Sequence, residues 1–117
     1  MKTIVYRAGK TRLRTPAVTA SRLQRVLARL GRHTPQEIAY LLASRGITGR
    51  PNAAMACPLH NLLQAYVPPC VISIGLGSTL VRILEQPWCF PHPPTVASFV
   101  SRFDDGSFPY LAERREV

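Results

Sequence analysis

Three X-Pro pairs, Thr15-Pro16, Thr34-Pro35 and Cys57-Pro58, divide the first half of the chain, and each is followed by apolar residues at helical spacing. Proline suits the first position of a helix, where the amide has no intrahelical acceptor and the fixed φ is already helical. After Thr15-Pro16, the residues Leu23, Val26, Leu27 and Leu30 repeat at i, i+3, i+4 and i+7 before Gly31, which predicts a first helix with one apolar side. Thr34-Pro35-Gln36-Glu37 adds a capping box, with Thr34 placed to accept the N3 amide and Glu37 to reach back to the cap. Ile38, Leu41 and Leu42 supply the apolar side of this second helix, and Gly46 is a C′ residue where a left-handed conformation costs little. A connection of about ten residues, from Ile47 through Arg50 and Asn52, exceeds the usual loop length. Cys57-Pro58 opens a third helix carrying Leu59, Leu62, Leu63 and Tyr66, which Pro68-Pro69 stops.

Periodicity changes after that point. Cys70 to Ile74 and Thr79 to Leu84 are β-rich runs around Gly75-Leu76-Gly77-Ser78, the pattern of an antiparallel hairpin with a glycine-assisted turn. Gln86 to Pro94 is a proline-rich loop, and Val96, Phe99, Val100 and Phe103 mark a last helix ended by Asp104, Asp105 and Gly106. Phe108, Tyr110 and Leu111 then return toward the core. The expected architecture is a small single α+β domain over residues 15–111, with three helices, a two-stranded antiparallel hairpin and a C-terminal helix. Residues 1–14 form a basic flexible arm or, over Thr3 to Arg7, a short strand, and residues 112–117 form a C-terminal tail. A length of 117 residues suits one such domain and excludes a two-domain enzyme of ordinary size.

Charge is distributed unevenly. Residues 1–50 hold eleven Lys and Arg against one acid, a net of +10, whereas residues 51–117 hold four bases against five acids, a net of −1. A basic end of this kind points to a polyanion, because Lys and Arg gain most by displacing counterions from phosphate. Thirteen of the fifteen bases are Arg, which a GC-rich coding bias also produces. Arg22, Arg25, Arg29 and Arg32 repeat on a stripe of the first helix away from its leucines, and Arg7, Lys10, Arg12 and Arg14 precede them in the arm. With Arg50 these nine residues are the expected nucleic-acid contacts, reading phosphate rather than base edges.

The chemistry-bearing residues are few. Cys57-x-x-His60 and Cys89-x-x-His92 have metal-ligand spacing, and four N and S ligands suit tetrahedral zinc; a thiol at a helix start and a surface imidazole explain the first pair equally. The same pairs, with Asp104 or Asp105 as orienter, are the only arrangement resembling an activated thiolate, and nothing nearby in sequence lowers a cysteine pKa. Gly75-x-Gly77 lacks the third glycine and the helix of a dinucleotide fingerprint. The expectation is a non-enzymatic protein with no metal or cofactor. Trp88 and Phe90 are the alternative contact, a hot spot for an acidic protein partner, against a plain hydrophobic cover for the hairpin. Three cysteines and no apolar run behind the basic N-terminus suit the cytoplasm, and Val67 to Leu84 is too interrupted by Pro, Gly and Arg82 to span a membrane.

The order α-α-α-β-β-α over residues 16–84 resembles a winged helix, and that resemblance implies a DNA-binding module with a two-stranded wing. Two features depart from it. The connection before the third helix is longer than a helix-turn-helix turn, and Pro58 to Tyr66 offers His60, Asn61 and Gln64 but no Arg or Lys for base edges. The segment Gly46-Ile47-Thr48-Gly49, then Cys57-Pro58-Leu59, the hairpin and Phe103-Asp104-Asp105-Gly106, is similar to short actinobacterial proteins over roughly residues 35–111. It carries no activity across. The reading is a small basic binding protein that contacts nucleic-acid phosphates with low sequence specificity.

Overall fold

Thr34 accepts the Glu37 amide through Oγ1 (3.1 Å), and the Thr34 amide donates to Glu37 Oε1 (2.9 Å), so the capping box forms as its spacing demands. It starts α2 (Pro35–Ser44), in a computed structural model that describes residues 16–113. Before it lies α1 (Pro16–Leu30), whose Leu23, Val26, Leu27 and Leu30 are buried. Gly46 closes α2 with φ +70°, and α3 (Pro58–Tyr66) begins where Cys57 Sγ accepts the His60 amide at 3.5 Å. The fourth helix, α4 (Pro94–Asp104), buries Val96, Phe99, Val100 and Phe103, and Gly106 follows at φ +89°. Phe108, the N-cap of a 3-10 turn over Pro109–Leu111, and Leu111, its last residue, return to the core, and the Phe108 ring lies 5.6 Å from that of Phe99.

The sheet has three strands, not two. β1 (Val71–Ile74), β2 (Ser78–Ile83) and β3 (Gln86–Pro91) form an antiparallel meander in the order β1-β2-β3. Ile72 pairs with Val81 and Val81 with Trp88, while Ile74 pairs with Thr79 and Thr79 with Phe90. The stretch read as a proline-rich loop is thus a strand. β3 is an edge and pairs on one side only, so Pro87 and Pro91, four residues apart and facing the same way, can sit where the missing N–H falls outside the ladder. One face of the sheet packs on α1 and α3; the other carries exposed Val71, Leu80, Arg82 and Cys89.

The domain also runs further than residue 111. Gly49 N–H donates to Leu111 O (3.0 Å), the Glu113 amide donates to Gly49 O (2.8 Å), and Ala112 bridges Gly49 in parallel sense. Ala112 and Glu113 therefore belong to the fold rather than to a tail. Gly49 is required there, because a Cβ would stand 2.4 Å from Pro58 N and 2.6 Å from Ala56 O. The long connection before α3 is held by the chain end and by Asp104, whose Oδ1 accepts the Asn52 amide at 2.8 Å. The strand expected over Thr3 to Arg7 lies outside the described residues.

Candidate nucleic-acid interface

With its leucine side buried against the sheet and α3, α1 turns Arg25 and Arg29 outward, while Arg32 lies past its end in the turn before α2, its amide donating to Arg29 O at 3.1 Å; all three are exposed. No carboxylate among the described residues pairs with them: the two ion pairs there are His33–Glu37 (3.5 Å) and Arg50–Glu113 (3.0 Å). The row is thus a set of uncompensated guanidiniums on and just past a helix whose opposite side is fixed in the core.

Arg22, the fourth expected member, departs from the stripe. It is half-buried and donates through Nη1 to Tyr66 O at 3.3 Å, placing its cation on the last carbonyl of α3. There it complements the negative end of the helix and docks α3 to α1. Arg50 is likewise committed elsewhere, with Nε donating to Glu113 Oε1 across the Gly49–Ala112 bridge. Arg7, Lys10, Arg12 and Arg14 lie outside the described residues.

One cation escaped the sequence reading. Arg45, the C-cap residue of α2, is exposed and donates through Nη1 to Tyr66 Oη at 2.6 Å. Together with Arg29, His33 and Tyr66 it rims a cleft of about 70 Å³ between α1, α2 and α3, floored by Val26, Leu30 and Leu62. Its position one turn after Leu41-Leu42 places it on the side of α2 that lines the cleft, a signal that helical spacing alone could have supplied.

The cysteine and histidine pairs separate. Cys57 is buried at the start of α3, where desolvation raises its thiol pKa and the nearby Asp104 carboxylate adds to the rise. His60 turns away and donates through Nδ1 to Asn61 Oδ1 (3.0 Å). Cys89 is exposed on the outer sheet face, three residues from a His92 ring engaged at both nitrogens, with Leu76 O at 3.1 Å and Thr79 Oγ1 at 2.7 Å. Among the described residues no group of three or more His, Cys, Asp or Glu is placed to hold a metal ion. Asp104 serves the Asn52 amide rather than a thiol-histidine pair.

Trp88 and Phe90 do not form a projecting loop. Phe90 is 6% exposed within the core and Trp88 packs partly buried against it, because both face inward from β3. The polar residues of α3 are also used locally: Asn61 Nδ2 donates to Thr48 O (2.7 Å) and Gln64 Nε2 to Pro68 O (3.3 Å).

No described helix is long and apolar enough to cross a membrane. Comparison with known proteins finds no matching protein family, no similar curated protein and no similar solved structure.

Proposed function

We propose that the protein binds nucleic acid through phosphate contacts with low sequence specificity and without catalysing a reaction. The observation that carries this reading is the unpaired, exposed row of Arg25 and Arg29 on α1 and Arg32 in the turn that follows it, in a chain of net charge +9. Arg45 extends the row onto α2, and the basic segment holding Arg7, Lys10, Arg12 and Arg14 leads directly into α1. Low specificity is argued from α3, whose Asn61 and Gln64 hydrogen-bond to backbone and which offers no Arg or Lys for base edges. Three free cysteines agree with a reducing compartment such as the cytoplasm.

Salt dependence tests this reading. If about five cations neutralise duplex phosphates, log K falls against log salt with a slope near −4.5, from about −0.9 per phosphate. Random and defined sequences bind alike. A slope near zero refutes the reading.

A further inference from the structure

The cleft between α1, α2 and α3 adjoins the arginine row, because Arg29 belongs to both. Its floor is aliphatic, from Val26, Leu30 and Leu62, and its rim is cationic and planar, from Arg29, Arg45 and the Tyr66 ring. Tyr66 and Arg45 are held to each other by the 2.6 Å hydrogen bond, and Arg22 fixes the end of α3 through Tyr66 O, so the wall stands ready rather than forming on contact. No carboxylate pairs with Arg29 or Arg45 among the described residues, so the rim favours an occupant tied to negative charge.

We propose that this cleft receives one unpaired base of a single-stranded nucleic acid whose phosphates lie along Arg25, Arg29 and Arg32. The inference rests on the phosphate-binding reading and narrows it from nucleic acid in general to the single strand. Arg25 and Arg29 stand one turn apart, about 6 Å along α1, and Arg32 follows in the turn after it, so the three cations form a short row that roughly three phosphates of a single strand can follow. A strand laid on that row has its middle phosphate at Arg29, and the attached base then reaches the cleft mouth. Guanidinium planes and a tyrosine ring are surfaces on which an unstacked base gains by stacking and cation–π contact, whereas an aliphatic side chain of an acidic peptide gains little from them. In a duplex the bases are paired inward, leaving the cleft unused.

Fluorescence anisotropy on the full chain with oligo(dT), oligo(dA), an abasic deoxyribose-phosphate strand of equal length and a duplex separates the two readings. The base contact predicts that oligo(dT) and oligo(dA) bind about tenfold more tightly than the abasic strand, and more tightly than duplex. Tyr66→Leu, which keeps an apolar wall, reduces the advantage of oligo(dT) over the abasic strand at least severalfold and leaves abasic binding unchanged. Arg25→Ala weakens all four ligands together. Equal, steeply salt-dependent binding of oligo(dT) and the abasic strand overturns the base pocket and leaves phosphate binding standing. Binding of neither strand overturns both. Occupation of the cleft by a Glu- and Leu-rich peptide, without any preference of oligo(dT) over abasic strand, assigns it to a protein partner and overturns the proposal.

Discussion

Thr79 and His92 are joined across the sheet by a 2.7 Å hydrogen bond between Oγ1 and Nε2, and Thr79 is fully buried. Leu76 O can only accept, so His92 Nδ1 carries the proton at 3.1 Å and the neutral ring accepts the Thr79 hydroxyl at Nε2. Desolvation holds the His92 pKa below its usual 6.5, opposed in part by the bond to Leu76 O. A histidine with a depressed folded pKa binds its proton more readily when unfolded, so its contribution to stability is complete above about pH 6.5 and declines as the pH falls below that value. Glu37, held low chiefly by the Thr34 amide, loses its contribution in a separate window below pH 4.5. Urea midpoints measured from pH 8 to pH 5 should fall in the wild type and stay flatter in His92→Gln. Identical profiles would show that the ring protonates without disturbing Thr79.

The β2–β3 turn is strained in a way that can be relieved. Ile83 pairs with Gln86, so the loop has two residues, Leu84 at φ +50° and Glu85 at φ +72°, the signs of a type I′ turn normally built from Asn-Gly. Each L side chain in that region costs about 1 kcal/mol. Leu84→Asn with Glu85→Gly should therefore raise unfolding stability by about 1–2 kcal/mol, visible as a higher denaturation midpoint at unchanged m-value. A lower midpoint would mean that exposed Leu84 makes a contact worth more than the strain.

The same turn explains what the sequence hid. The helices were legible because Pro16, Pro35, Pro58 and the box Thr34/Glu37 are local signals, read within one turn of chain. β3 was not, because Leu84-Glu85 carries no turn signature and Pro87 and Pro91 argue against a strand unless its place at the edge is known. In the candidate site, Arg25 and Arg29 follow from helical spacing, whereas Arg32 falls past Leu30, where Gly31 ends the helix sooner than the arginine repeat suggests. Arg22 and Arg50 do not separate from them by any local feature, since their partners Tyr66 and Glu113 lie 44 and 63 residues away.

Gly49 sits where three backbone segments converge, and a methyl group there would meet Pro58 N, Cys57 C and Ala56 O at 2.4–2.6 Å. All three atoms belong to the backbone of 56–58, so there is no side chain to swing away. Gly49→Ala should cost about 2–3 kcal/mol, the range of overpacking that moves backbone. Gly77→Ala, with nothing within 4 Å of the added carbon, should stay within about 0.5 kcal/mol. Thermal melts of the pair check this, and equal melting temperatures would mean that the 49–57 connection yields cheaply.

Arg22, Arg25 and Arg50 are three arginines of one basic half-chain with different assignments, and mutation should sort them. Arg25 has no partner among the described residues, so Arg25→Ala should leave the melting temperature nearly unchanged and make the salt slope shallower by about 0.9, one phosphate contact. Arg22 donates to Tyr66 O from a half-buried position, so Arg22→Ala should destabilise the fold by about 1 kcal/mol, the worth of a hydrogen bond from a charged group discounted for exposure, with little change in slope. Arg50 is neutralised by Glu113, so Arg50→Ala should change the slope little. Glu113→Gln should do the opposite: freed from its carboxylate, Arg50 becomes available to phosphate and binding tightens at low salt. Equal slope changes for Arg22, Arg25 and Arg50 would show that net charge alone governs binding, and that the row on α1 has no special place in it.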